Sequence, residues 1–126
     1  MAVSTEELKK AIHSLEEAIQ LYIGAKDSSQ QKAFRDACIQ RFEYGIELSW
    51  KVSMKVLGSN ISAAKPGIRE MARNQLIEDP QIWFDFIEAR NESSHSYDEE
   101  VAKKVYEVAK KLPAEAHKLL SKLNQK

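Results

Sequence analysis

Glycine and proline are scarce in this sequence of 126 residues, which has four glycines and three prolines. Their scarcity disfavours a fold rich in β-turns. Cysteine occurs once, as Cys38, so an internal disulfide is excluded and a reducing cytoplasm is the expected location. No apolar run approaches membrane-spanning length, and the N-terminus lacks the basic and apolar regions of a signal peptide. We therefore expect a cytoplasmic protein without a membrane partner.

Neither sign of charge dominates, because 19 acidic residues balance 19 basic ones. This balance excludes a broad electrostatic surface for nucleic acid but leaves room for a small phosphate site. Histidine and cysteine do not recur at metal-ligand spacing, so we expect no metal centre. His13 and His117 are predicted to be solvated helix residues, and Cys38 to be a small core residue.

Apolar residues recur at helical spacing along most of the chain, which predicts one all-α domain over residues 1–126. Sequence patterns also mark the expected helix ends. Two predicted capping boxes are Ser4–Glu7 and Ser96–Glu99; other predicted starts are Ser28, Pro66-Gly67 (through Ile77) and Asp79-Pro80, and Pro113 should kink or restart the last helix. We expect an up-down four-helix bundle with an extra short helix.

The second predicted helix, which Gly58 should end, carries more apolar surface than a one-sided surface helix needs. One apolar stripe includes Cys38 and Phe42. A second stripe beside it includes Ile46 and Trp50. This helix is therefore either central in the bundle or shared with another subunit.

Arg90, His95 and Tyr97 bring a guanidinium, an imidazole and a phenol to one helix junction. Arg90 continues an apolar stripe, so it needs a partner or a function. Capping and packing would explain the junction if Arg90 paired with Glu47 or Glu43. Phosphate binding and proton transfer are the functional alternative, although such a cluster at a helix junction more often serves capping and packing. Asn91 and Ser94 lie close enough in sequence to contact a phosphate, although turn hydrogen bonds would also account for them.

Three blocks of this sequence resemble the HepT-type HEPN proteins, a family also called nucleotidyltransferase substrate-binding proteins. The first block is Arg90, His95 and Tyr97, which match the signature Arg-x4-His-x-Tyr, with Asn91 as its usual second residue. The second is QRFEYGIELSWK at residues 40–51, and the third runs from residue 68 to residue 77. They occur in the family's order, and the resemblance covers about residues 5–124.

The resemblance implies a helical bundle that forms homodimers and sometimes tetramers. It implies a ribonuclease toxin with Arg90 and His95 as catalytic residues. Asn91 and Ser94 are candidate supporting residues beside them, and Glu43 and Glu47 would either order Arg90 or the cleft or form a solvated helix face. A small nucleotidyltransferase antitoxin would transfer AMP from ATP onto Tyr97. The chain itself would need no cofactor, since ATP and Mg²⁺ would belong to that partner.

These residue types suit RNA cleavage without a metal. An imidazole titrates near neutral pH and can carry a proton, while a guanidinium can hold a phosphate. A two-fold dimer would add a second Arg90 and a second His95. Two other functions stay open: a non-catalytic subunit that binds substrate for a nucleotidyltransferase, and a structural adaptor in which Arg90 and His95 face away from any cleft.

Overall fold

The computed structural model describes residues 3–126, which form six α-helices and no β-strand. The helices are α1 (Glu6–Ile23), α2 (Ser28–Leu57), α3 (Ala64–Arg73), α4 (Pro80–Glu92), α5 (Glu99–Ala109) and α6 (Leu112–Leu123). A single 3₁₀ turn, Ser93–His95, joins α4 to α5. The predicted all-α bundle is confirmed: α1, α2, α4 and the α5–α6 pair are its long members, and α3 is the extra short helix.

Helix α2 is the centre of the bundle, because it contacts each of the other α-helices of residues 3–126. Both of its apolar stripes are buried within the one chain, including Cys38, Phe42, Ile46 and Trp50. The wide apolar sector is therefore explained by a central position, and it gives no support for a second subunit. The homodimer stays a prediction.

The predicted capping box at the start of α1 is wrong. Thr5 is the N-cap residue and makes no side-chain cap. Ser4 instead accepts a hydrogen bond from the amide of Glu6 at 3.2 Å. The Glu7 carboxylate, which should bond back to the N-cap, accepts a 2.5 Å hydrogen bond from the hydroxyl of Tyr44 on α2. A contact between helices therefore replaces the local one.

The starts of α2 and α5 also differ from prediction, and for one reason. In each case an aspartate within two residues of the predicted serine is the N-cap residue: Asp27 directly precedes Ser28, and Asp98 lies two residues after Ser96. Asp27 accepts from the amide of Gln30 at 2.8 Å, and Asp98 accepts from the amides of Glu100 and Val101. A carboxylate is a stronger acceptor than a hydroxyl near the positive end of a helix. As a result Tyr97 precedes α5 and does not lie in its first turn.

Each of the three prolines lies in the first turn of a helix, where a missing amide costs no hydrogen bond. Pro80 starts α4, as predicted. Pro113 marks the restart of the last helix as α6, which was one of its two predicted effects. Pro66 does not start α3, because that helix begins two residues earlier at Ala64.

Two helices end in the same type of reversed turn. Gly58 has φ 66° and follows α2, as predicted, and a non-glycine residue, Gln75, takes φ 63° after α3. The amide of Leu76 then donates to the carbonyl of Met71 at 2.9 Å, which completes a Schellman motif. This turn ends α3 at Arg73, short of the predicted Ile77, and returns Leu76 to the core.

Candidate functional site

Arg90 lies in the last turn of α4 and reaches the surface of α2. Its side chain is 41% exposed, and a terminal nitrogen lies 2.9 Å from a carboxylate oxygen of Glu47. The other Glu47 oxygen lies 3.4 Å from the ammonium of Lys51. One of the two predicted partners of Arg90 is therefore the observed one. The ion pair explains how a guanidinium is accommodated at the end of an apolar helix stripe.

Ser93 holds the next part of the junction. It is buried, and its hydroxyl donates a hydrogen bond to the carboxylate of Glu43. Glu43 and Glu47 are thus both engaged with the helix that carries Arg90, one through a serine and one through the guanidinium itself. Both glutamates therefore contact the junction, and their supporting role in a functional site stays a prediction. Ser93 was not among the predicted site residues, because nothing in the local sequence separates it from Ser94.

A solvent-open groove of about 800 Å³ runs beside this contact between α2 and the end of α4. Predicted site residues among its walls are Glu43, Glu47, Arg90, Asn91 and Ser94. Residues that the sequence did not single out are Gln40, Tyr44, Leu48, Lys51 and Ser93. The groove therefore offers a guanidinium, an ammonium and several hydrogen-bonding groups, with two carboxylates that already have partners.

His95 and Tyr97 lie outside the walls of this groove, on the exposed turn that follows it. The exposed fraction of Tyr97 is 87%, and His95 is also exposed. The two rings meet edge to face with their centroids 6.1 Å apart. The predicted site is thus divided: Arg90, Asn91 and Ser94 face the groove, while the imidazole and the phenol are presented to solvent beside it.

Two other predicted assignments can be compared with the structure. Cys38 is a core residue, as expected, and burial raises the pKa of its thiol to about 11, which keeps it protonated and unreactive. His13 and His117 are exposed, but they are not isolated. Their ring centroids are 6.1 Å apart, and His117 Nε2 lies 3.2 Å from a carboxylate oxygen of Glu16. This pairing of α1 with α6 joins residues too distant in sequence for any spacing rule.

Two other kinds of site are absent from residues 3–126, namely a metal centre and a membrane-spanning segment. No group of three or more histidine, cysteine or acidic side chains in that range is arranged to hold a metal ion. None of its helices combines the length and hydropathy that crossing a membrane requires.

Known proteins resemble this chain over nearly its whole length. A Haemophilus influenzae protein with the curated name "Probable ribonuclease HepT" is 31% identical over 132 residues, which is 94% of this chain and 90% of that protein. A solved Haemophilus influenzae structure, described as the substrate-binding domain of a nucleotidyltransferase, is 28% identical with a TM-score of 0.82 and covers 96% of this chain and 99% of its own. A structure from Thermus thermophilus is 25% identical with a TM-score of 0.77, covering 92% and 98%.

Residues 4–125 match the family described as nucleotidyltransferase substrate binding protein like. The matched range contains α1 to α6, the groove and the exposed turn. The helical bundle of the solved relatives and the name of the curated relative agree with it. With Arg90 at the end of α4 and His95 and Tyr97 on the turn after it, the chain belongs to this family of HepT-type HEPN proteins.

Proposed function

We propose that this protein is a metal-independent ribonuclease toxin whose catalytic residues are Arg90 and His95. The observation that carries the proposal is the Arg90–Glu47 ion pair at 2.9 Å, which holds a guanidinium beside an open groove while the exposed imidazole of His95 follows on the next turn. The curated name of the Haemophilus influenzae relative supports the same activity.

The reaction needs two proton transfers. The 2′-hydroxyl of the RNA attacks phosphorus and gives its proton to a base, the bond from phosphorus to the 5′-oxygen breaks, and that oxygen takes a proton from an acid. The products are a 2′,3′-cyclic phosphate and a 5′-hydroxyl. His95 serves as one of the two proton carriers, and Arg90 stabilises the negative charge that gathers on the phosphoryl oxygens.

One chain supplies only one imidazole at this place. We propose that a second copy of the chain, in a homodimer or within a tetramer, completes the site with its own His95. His95 and Tyr97 are exposed on the turn after α4, so both can contact a second copy of the chain. In a two-fold dimer whose interface contains this turn, both copies of the turn meet at one cleft. The dimer is supported by this chemical requirement and not by the apolar surface of α2, which the bundle itself covers.

The same turn suits control by a partner. A minimal nucleotidyltransferase antitoxin would bring ATP and Mg²⁺ and transfer AMP to Tyr97, whose phenol is 87% exposed. The phenolic oxygen bonds to the α-phosphorus, pyrophosphate leaves, and the phenol loses its proton. The AMP group would add bulk and negative charge two residues from His95, and would repel RNA phosphate.

Cleavage of RNA in the presence of EDTA tests the catalytic proposal. We expect His95→Ala to lower the cleavage rate by about 100-fold or more, since a general acid or base contributes at least that much. His13→Ala is the matched control, because His13 is also an exposed histidine on a helix surface. Equal rates for the wild-type protein and His95→Ala would contradict the proposal.

Transfer of AMP is tested by intact-mass spectrometry after incubation with the partner nucleotidyltransferase, ATP and Mg²⁺. We expect an AMP-sized mass increase in the wild-type protein and in Tyr44→Phe, but not in Tyr97→Phe. Tyr44 is a suitable control because it is a half-exposed tyrosine that lines the groove. Modification of Tyr97→Phe to the wild-type extent would contradict the assignment.

A second candidate is a non-catalytic subunit that binds substrate for a nucleotidyltransferase. It is favoured by the solved relative described as the substrate-binding domain of such an enzyme, and by the volume of the groove. This function predicts that the partner's nucleotidyl transfer depends on the chain while RNA stays intact with the purified protein. The adaptor function is less well supported, because Arg90 does line a groove.

A further inference from the structure

One ridge of side chains on α2 contacts residues 90–99, the segment from the end of α4 to the start of α5. Side chains four residues apart form such a ridge on a helix. Its members are Arg35, Ile39, Glu43, Glu47 and Lys51. The ridge makes three polar contacts with residues 90–99. From the C-terminal to the N-terminal end of the ridge, they are Glu47–Arg90, Glu43–Ser93 and Arg35–Glu99. The order of the contacts follows the chain, so residues 90–99 lie antiparallel along the ridge.

Arg35 makes the contact farthest from the groove. Two of its guanidinium nitrogens donate to the two carboxylate oxygens of Glu99, at 2.8 and 2.9 Å. The Arg35 side chain is 6% exposed and that of Glu99 is 47% exposed. Because the guanidinium is buried, it requires a charge partner, and Glu99 provides it. The remaining guanidinium nitrogen, Nε, is buried without a hydrogen-bond partner among residues 3–126. This bidentate pair fixes the first residue of α5.

The contacts at Ser93 and Glu99 enclose residues 94–98, which contain His95 and Tyr97. Eight residues of α2 separate Glu43 from Arg35, a distance of about 12 Å along the helix axis. Within this span the chain is held by hydrogen bonds from the amide of Ser96 to Ser93 and from that of Asp98 to His95. Its side chains are mostly exposed. The position of this stretch is therefore set at its two ends.

We infer that Arg35 is a positioning residue that, through Glu99, sets where His95 and Tyr97 stand relative to Arg90. For its catalytic consequence this role rests on the proposed ribonuclease function. Arg35 does not line the groove, and its hydrogen bonds go to Glu99, so it acts on the site through the start of α5. Glu43 and Glu47 position the groove side of the segment, and Arg35 positions the exposed side.

Residue-resolved hydrogen exchange in the full-length protein tests the positioning role. Glu99→Gln keeps the shape of the side chain but removes the charge that pairs with Arg35. We expect the amides of Ser96 and Asp98 to exchange roughly ten-fold faster, the size of effect expected for one charge-assisted hydrogen bond. Glu100→Gln is the matched control, since it removes the same charge from the same helical turn and should leave both amides unchanged.

Arg35→Lys is the second variant, because it keeps the buried charge but cannot bind both carboxylate oxygens. It should speed exchange at the same two amides. If Glu99→Gln and Arg35→Lys both exchange like the wild-type protein at Ser96 and Asp98, the inference is overturned.

RNA cleavage in EDTA gives the catalytic readout. Glu99→Gln should lower kcat about ten-fold or more with little change in KM, because binding in the groove is intact and the proton carrier is displaced. Unchanged kcat in an active protein overturns the positioning role. If the wild-type protein does not cut RNA, the proposed function fails, and the exchange rates alone decide whether Arg35 holds the turn.

Discussion

The two halves of the segment between α4 and α5 are held in different ways. Residues 90–93 are fixed side by side to α2, with Arg90 paired to Glu47 and the buried hydroxyl of Ser93 bonded to Glu43. Residues 94–98 carry exposed rings and are tied to α2 only at their ends. The first half is packed against the bundle, whereas the side chains of the second half are accessible to other molecules.

This difference assigns separate tasks to the halves. A phosphate-binding guanidinium is most effective when its position is fixed before substrate arrives. A proton carrier that must be completed by a second chain, and a tyrosine that must enter a partner's active site, both need exposure. Changes in residues 90–93 should therefore affect stability or phosphate binding, and changes in residues 94–98 should affect chemistry with little effect on stability.

The largest expected effect comes from Arg90→Ala. Removing the guanidinium should lower RNA cleavage by about 100-fold or more, as for loss of one preorganised donor at a developing negative charge. Its ion pair is partly exposed, so the cost in unfolding free energy should stay within about 1 kcal/mol. Cleavage kinetics and urea unfolding measure the two effects. Arg73→Ala, which removes another surface ion pair, should leave cleavage unchanged.

Adjacent serines give a smaller and sharper comparison of the halves. Ser93→Ala removes the buried donor to Glu43 and should lower the unfolding free energy by about 1–2 kcal/mol. Ser94 is exposed and makes only a 3.3 Å contact with the carbonyl of Asn91, so Ser94→Ala should cost less than about 0.5 kcal/mol. If urea unfolding gave the two variants equal losses of unfolding free energy, the two halves would not be held differently.

The smallest expected effect is the loss in acid of the stability that Glu99 contributes at the start of α5. The hydrogen bonds from Arg35, with the charges of Lys32 and Lys103, lower the pKa of Glu99 below its ordinary value of 4.5. The folded protein therefore binds fewer protons here than the unfolded chain, and the stability that Glu99 adds above pH 4.5 is lost as pH falls through the lowered pKa. Urea unfolding of the wild-type protein and Glu99→Gln, followed from neutral pH into acid, should show the stability difference shrinking. A constant difference would contradict this linkage.

The fold was predictable from the sequence wherever one local signal dominated. Gly58 after α2, Asp79-Pro80 before α4 and the restart at Pro113 lie where the pattern predicts. The predicted N-caps of α2 and α5 were wrong because an aspartate within two residues of the serine is the stronger acceptor. The predicted N-cap of α1 was wrong for a different reason, which is a tertiary contact. At α1 the hydrogen bond between Glu7 and Tyr44 decides it, and such a bond leaves no trace in the local sequence.

The candidate site was predictable only in part, for a related reason. The sequence identified Arg90 and narrowed its partner to Glu47 or Glu43, since both lie on a helix expected to pack nearby. It did not identify Ser93, whose burial depends on the fold, or Arg35, which reads as one more charge on a helix. Arg35 and Glu99 are 64 residues apart, and their pairing exists only once α2 and α5 are packed together.

The most direct test of a site shared between two chains is the RNA cleavage rate, in EDTA, of a mixed dimer with one wild-type and one His95→Ala chain. Two affinity tags allow its purification, and a mixed dimer with His13→Ala serves as the control. If both imidazoles act in one cleft, the mixed dimer should retain less than about one tenth of the wild-type rate, close to the His95→Ala homodimer. A mixed dimer that retains half of the wild-type rate would contradict the shared site, because each chain would then be acting alone.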